Sequence, residues 1–598
     1  MKKRYKLLLA GVSFVAVSAT LGIETSVFAY KVAGGVLAII IANASLRFVV
    51  VKTALHFGIA HPLLESHWPR VPWRIFQRVH KAIIEKYEEL FVMGKRSSSG
   101  FTPTLSTLLL KYSPDKIILG RARVWGWPWV QYVAEPISRH MMIFGQTGGG
   151  KSNYLASIIA FTPLTASIFL IDPKGFFSRT ILAAKRAMGA AVYVIDVLGN
   201  TGIPSASINP IRTIFELNEL TGKDYTTIMV VGICQALIPK EKFEKPFFHR
   251  KAIEIVAAMI LHEITQDPDT DLVQICRRVF AGYADEAEEL GDGEKMHLKA
   301  MAENPAFDGF ISLIANRALS TDPKTLSNIM ATATAPLMWL MHKQTKEFVI
   351  RHDVSLLSLK SNTRKVIISL ACSPFELRTT FAGYFRMMIF IVLKIMELIP
   401  EKIEERTRII FEEMGTIGAV EGLPEVWPLL RGYGGFGIGV VQEIEGLQRP
   451  YPDHWRTIMG NSDATVYFQT EDPQTLDHIS KNVLGKKTLD YSTRAVLEPE
   501  QCKRFLSYTK GRGGNCIVAR AGKRPLALKM VEYFRDCPVW LYEPDSEHDE
   551  PAGRAYGRSL LKSSTSLSSP IPQPPLLSDQ SKFDALIRSA RPSGHQTH

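Results

Sequence analysis

Two uncharged apolar runs open the chain, residues 7–23 and 32–46, the second continuing past Arg47 to Val51. Each is marginally long enough to cross a bilayer, which takes about 20 residues when flanking Lys or Arg reach outward. Basic residues precede the first run (Lys2, Lys3, Arg4, Lys6) and follow the second (Arg47, Lys52), while the link 24–31 carries little charge. This pattern predicts a transmembrane helical hairpin over 1–52 with a short periplasmic link and both ends cytoplasmic. A cleaved signal peptide ending near Ala29 begins the same way, but a second apolar run follows. Residues 53–115 mix His, Trp and basic positions and read as a juxtamembrane stem.

From Lys116 the periodicity changes. Short β-branched runs at 141–144, 167–172 and 191–196 alternate with glycine turns and helical stretches, the signature of an α/β parallel sheet with crossover helices. Amphipathic helical stretches such as 251–264 and 271–282 then replace strands, predicting an all-α domain at 214–325 inserted into an α/β domain made of 116–213 and 326–543. Strand-like runs resume at 365–371, 408–411, 437–442, 464–470 and 515–520. The apolar stretch 380–399 has charged neighbours and reads as a buried crossover helix rather than a third span. Residues 544–598, rich in Ser, Pro and charge, read as a disordered tail; Phe583, Leu586 and Ile587 lie at helical spacing within it.

At 598 residues the chain exceeds one ordinary core, so several domains are expected. The six cysteines are scattered with no Cys-x-x-Cys pair, which argues against a zinc site or a disulfide framework. A formal charge of +13 fits a polyanionic partner or an anionic membrane face without choosing between them.

The chemistry is concentrated in one loop. Gly145-Gln146-Thr147-Gly148-Gly149-Gly150-Lys151-Ser152 follows a strand-like run and precedes a helix-like one beginning at Asn153, the setting of a phosphate-binding P-loop. Glycines let backbone N–H groups close around the phosphates of ATP, Lys151 reaches the β/γ oxygens, and the Ser152 hydroxyl is placed for Mg2+. Such a site needs one carboxylate on the metal side and one to orient water. The run Arg408-Ile409-Ile410-Phe411 ends in Glu412 and Glu413, which supply the two in that order. Asp172 also ends a strand, but Pro173-Lys174-Gly175 after it predicts a turn near the phosphates more than a metal ligand. Gln442 closes another apolar strand and is placed to sense the γ-phosphate. Arg431, in a glycine-rich loop, is a candidate to reach a neighbouring subunit's nucleotide, and equally an ordinary surface arginine. Phe243, Phe247 and Phe248 interleaved with Lys245, Arg250 and Lys251 suggest either a single-strand binding surface or, preferably, a solvated helix face with buried phenylalanines.

Taken together, these residues resemble the type IV secretion coupling proteins, the TraG/TraD group of conjugation ATPases. The resemblance rests on Arg139-His140, the P-loop, Asp172-Pro173-Lys174-Gly175, Asn209-Pro210, Glu412-Glu413 with Gly415 and Gly418, Arg431-Gly432-Tyr433-Gly434, Gln442, and Gly460-Asn461 through Ser480 to Gly485 and Thr488. It implies a RecA-like nucleotide-binding domain, a membrane-distal all-α domain, and ATP sites at the subunit interfaces of a hexamer in the bacterial inner membrane. It further implies delivery of relaxase-bound DNA or protein effectors to a type IV secretion channel, with Arg431 as an inter-subunit finger and Gln442 as phosphate sensor. Family members usually carry Asp-Glu where this chain has Glu412-Glu413, which bears on the rate of hydrolysis. Two alternatives share the motif: a nucleotide-gated recruitment platform with little motor activity, and an FtsK- or HerA-like DNA translocase.

Overall fold

The computed structural model describes Phe101 and residues 110–123, 130–239, 246–281, 292–489, 492–509 and 513–545. The expected transmembrane hairpin, nearly all of the stem and the C-terminal tail lie outside the described residues. Among the described residues no helix is long and apolar enough to cross a membrane.

The strands are β1 (Ile117–Arg123), β2 (Val130–Glu135), β3 (His140–Phe144), β4 (Ile168–Asp172), β5 (Ala191–Asp196), β6 (Val366–Ala371), β7 (Thr407–Phe411), β8 (Gly435–Val441), β9 (Ser462–Tyr467), β10 (Lys486–Leu489), β11 (Ser492–Ala495), β12 (Tyr508–Thr509), β13 (Gly513–Arg520) and β14 (Lys523–Lys529). The main sheet runs β2-β1-β14-β13-β9-β3-β8-β7-β4-β6-β5, with β12 attached to β13 and β10-β11 forming a separate hairpin. From β9 to β5 every pairing is parallel. The flank from β13 to β2 is antiparallel.

Both faces of the inner parallel strands are covered, so these strands are mostly apolar. β3 and β4 are buried at every position, with Met142 and Phe144 facing one core cluster and Met141 and Ile143 the other. Helix α1 (Lys151–Phe161) packs on the second face through Leu155 and Ile159. The flank alternates instead: in β14 Leu526 and Leu528 point inward while Ala527 and Lys529 are exposed.

Between β5 and β6 the described chain is helical. Asn209 starts it as an N-cap whose Oδ1 accepts the N–H groups of Ile211 (2.9 Å) and Arg212 (3.3 Å), with Pro210 at the first helical position. Helix α2 (Pro246–Gln266) is the centre of this region, and its end is joined to α3 (Asp292–Ala302) by His297 Nε2 on Glu263 Oε1 at 2.9 Å. Helical segments continue past residue 325 to Leu356–Lys360, because Pro323–Thr334 buries Ile329, Met330 and Ala333 in the same cluster as α2. The stretch expected as a crossover is α4 (Ala382–Leu398), which connects β6 to β7 and buries Tyr384, Phe385, Met388 and Ile395 completely.

Candidate functional site

Strand β3 delivers Phe144 into the core, and the chain then turns through 145–150 into α1. Gly148 and Gly150 have φ of 77° and 89°, values that side chains with a Cβ avoid. At Gly150 a Cβ would also stand 2.5 Å from Met530 Sδ. Neighbouring strands hold the loop from both sides. The Gly145 N–H donates to the carbonyls of Val441 and Gln442 (3.3 and 3.2 Å), and that of Gln146 to the Gln469 carbonyl at 2.7 Å. Thr147 and Gly148 form the exposed tip, and Asn153 is half-buried on α1.

Lys151 is buried, its Nζ donating to the carbonyls of Gly145 and Gln146 within the loop. Burial lowers its ammonium from the usual lysine range, and the charges of Glu413 and Glu412 oppose that shift. Ser152 Oγ donates to Glu412 Oε1 at 2.7 Å. Glu412 directly follows β7, which lies two strands from β3 with β8 between them. Burial, and then the charge of Asp172, push the Glu412 carboxyl up to about 8 despite the Ser152 bond. Its Oε2 is buried with no hydrogen-bond partner.

Glu413 has a left-handed backbone (φ 63°, ψ 46°), a conformation that costs a non-glycine residue about 1 kcal/mol or more. In an extended strand Glu412 and Glu413 would point to opposite faces. The left-handed turn instead brings the Glu413 carboxylate within 3.3 Å of Gln442 Nε2, so Glu412, Glu413 and Gln442 lie together at the mouth of one loop.

Arg431 is elsewhere. It is exposed at the end of helix Leu423–Leu430, before β8 begins, whereas Gln442 follows the end of β8. Seven residues of strand span about 20 Å at ~3.3 Å each. Arg431 therefore sits at the opposite edge of the sheet, beside Arg406, whose guanidinium is lowered first by burial and then by the charge of Arg431. Within its own subunit it does not join the P-loop.

The expected aromatic-basic surface divides. Phe248 packs against the core, Phe247 is 53% exposed, and Phe243 and Lys245 lie outside the described residues. Asp172 holds the expected turn, its carbonyl accepting the Gly175 N–H at 3.0 Å and its Oδ2 the Ser178 N–H at 2.8 Å, and sequence reasoning missed Gln469 and Tyr508. Asp172 is fully buried next to Glu412, whose N–H meets the Ile171 carbonyl at 3.3 Å. Burial raises the Asp172 carboxyl to about 6 against the opposing hydrogen bonds of Ser178. Gln469 links the loop to the antiparallel flank, its Oε1 accepting the Tyr508 N–H at 3.0 Å. No local motif marks either role; both arise from strand pairing.

A parallel sheet with a P-loop at the carboxyl end of one strand and acids at the ends of its neighbours defines a RecA-like nucleotide-binding protein. The chain belongs to the type IV secretory system conjugative DNA transfer family, whose model matches residues 115–495. No curated protein matches it at the sequence level. Among solved structures its fold is similar to that of the plasmid coupling protein TrwB. In complex with the non-hydrolysable ATP analogue ADPNP, TrwB aligns with TM-score 0.52 and 13% identity over 73% of this chain and 96% of that one. The complex with the GTP analogue GDPNP gives 0.51 and 12% over 74% and 93%, and a trigonal form with sulphate gives 0.52 and 12% over 73% and 96%.

Proposed function

We propose that this chain is an ATP-hydrolysing coupling protein that receives substrate, relaxase-bound DNA or protein effectors, and delivers it to a type IV secretion channel. The observation that carries the reading is the Ser152–Glu412 contact at 2.7 Å beside the Glu413–Gln442 pair, two acids and an amide gathered at a P-loop. TrwB, the structural relative, has been captured with ADP and Mg2+, and the residues here fit the same group. Ser152 Oγ and the unpartnered Glu412 Oε2 are hard oxygen donors suited to Mg2+. When bound, the ion neutralises charge on the transferring phosphoryl group.

The chain's own groups do the rest. Loop 145–150 and the N-terminus of α1 surround the phosphates with N–H donors. Lys151 exchanges its two loop carbonyls for phosphate oxygens. Glu413 orients the attacking water and Gln442, bonded to it, reports the γ-phosphate. Arg431 acts in trans on a neighbour's nucleotide in a homo-oligomer, a hexamer by family analogy. The lengthened metal-side acid was the ground for a platform with little turnover. Its direct contact with Ser152 supports the motor reading instead, because the extra methylene leaves the carboxylate within reach.

The apolar runs of 1–52 with their basic flanks support anchorage in the inner membrane with the bulk of the chain cytoplasmic. Purified full-length protein in detergent is expected to hydrolyse ATP in the presence of Mg2+, and cells carrying Lys151→Ala or Glu413→Gln to lose substrate export. Export that survives both substitutions excludes the motor.

A further inference from the structure

The carboxylate pair at the ends of β4 and β7 contains one residue that the reading above does not use. Asp172 Oδ2 is fully occupied: it accepts the Ser178 N–H at 2.8 Å and the Ser178 hydroxyl at 2.9 Å, and that hydroxyl lies 2.9 Å from Ser369 Oγ. Oδ1 is buried without a hydrogen bond of normal geometry, although the Phe177 N–H also acts on this carboxylate. Glu412 repeats the arrangement, with Oε1 on Ser152 and Oε2 open. An aspartate serving only to fix the 172–178 turn needs one oxygen. Two adjacent buried acids, each held by one oxygen and open at the other, leave uncompensated acceptor capacity in a dry site. A hydrated divalent cation, which keeps several of its waters when bound, supplies the missing donors.

Resting on the nucleotide-binding reading, we propose that Asp172 is a second metal-side carboxylate, its Oδ1 accepting from the coordination sphere of the divalent cation held by Ser152 and Glu412. Asp172 is thus a positioning residue for the cation. The turn Pro173-Lys174-Gly175 that follows does not displace it, because β4 is hydrogen-bonded along its length to β7 and fixes where it ends.

The test uses full-length protein in detergent with a non-hydrolysable ATP analogue and Mn2+ as a paramagnetic probe. Asp172→Asn retains an oxygen to accept from Ser178 and replaces the open oxygen with an amide. Mn2+ affinity in the ternary complex is expected to fall tenfold or more, with metal-free nucleotide affinity and the thermal midpoint unchanged. Ser178→Ala, which trims the turn and leaves Oδ1 in place, is expected to keep Mn2+ affinity within about twofold of wild type. Mn2+ affinity in Asp172→Asn within twofold of wild type overturns the proposal, as does a Ser178→Ala loss of the same size. Should Asp172→Asn not fold, the electron–nuclear coupling of Mn2+ to 13C-carboxyl-labelled aspartate in the wild-type nucleotide complex gives the answer. A resolved coupling supports the assignment, since Asp172 is the aspartate beside Ser152 and Glu412; no coupling overturns it. A wild-type chain that binds no nucleotide sinks the functional reading, whereas normal metal binding by both wild type and Asp172→Asn sinks only this inference.

Discussion

The two edges of the parallel sheet carry opposite chemistry. At the carboxyl edge the buried Lys151, with the exposed Lys174 nearby, faces Asp172, Glu412 and Glu413 around a phosphate-type loop. At the amino edge the described residues bring together arginines: Arg406 donates to the carbonyls of Ile137 and Ser138, and Arg406 and Arg408 both lie 5.3 Å from the Phe436 ring centroid. Arg139 meets Asp463 at 2.7 Å, and Arg431 stands exposed. One edge holds acids and a phosphate loop without an arginine finger, and the other displays an arginine without phosphates. The contrast fits the proposed reading, in which Arg431 of one copy serves the phosphate loop of another.

Substitutions at the two edges should therefore fail differently. The largest effect belongs to Lys151→Ala, for which titration with a fluorescent nucleotide should show affinity falling more than about 100-fold, since the buried ammonium is the only cation inside the loop. Next is Arg431→Ala. Turnover in the assembled protein should fall by about 10³-fold while nucleotide affinity stays within about twofold, as expected for a charge supplied in trans. Equal loss of binding would place Arg431 at its own subunit's loop and erase the contrast. Glu413→Gln is expected to lower kcat by about 10²-fold with binding retained; a rise in KM alone would show that Glu413 holds substrate without orienting water.

The smallest effect is at Asp463. Burial alone would raise its carboxyl, but hydrogen bonds from Ser138 and Arg139 overcome this and hold it at about 2. A carboxyl lowered on folding stabilises the native state fully above its unfolded value near 4, and that contribution is lost as pH falls through about 2. Asp463→Asn should cost about 1 kcal/mol or less at pH 7, because its partner is partly solvated. The gap between mutant and wild-type thermal midpoints should close between pH 4 and 2; a gap unchanged over that range would contradict the assignment.

Much of the parallel half was legible because strands buried on both faces, such as β3, β4 and β6, read as short runs that are apolar but for a single position. The flank was harder. β14, Lys523-Arg-Pro-Leu-Ala-Leu-Lys, carries charge at both ends and a proline within, and its place depends on pairing with β1, some 400 positions away in sequence. The same separation governs the site. Lys151, Ser152, Glu412, Glu413 and Gln442 were readable because each ends or follows an apolar strand beside a recognisable spacing. Asp172 also ends an apolar strand, and the turn read after it is present; its closeness to Glu412 is set by the β4–β7 pairing, which the sequence does not display. Gln469 and Tyr508 had no sequence signal. The placement of Arg431 was available in principle, since β8 lies between it and Gln442 and the two must occupy opposite ends of that strand.

The central claim, that each hydrolytic site joins the carboxyl edge of one copy to Arg431 of another, is tested most directly by mixing two inactive variants. Lys151→Ala keeps the arginine and loses the phosphate loop; Arg431→Ala keeps the loop and loses the arginine. Co-assembled protein is predicted to regain ATP hydrolysis that neither variant shows alone, because some interfaces then combine an intact loop with an intact arginine. Co-assembly verified by differential tags, with hydrolysis no higher than that of either variant, would contradict it.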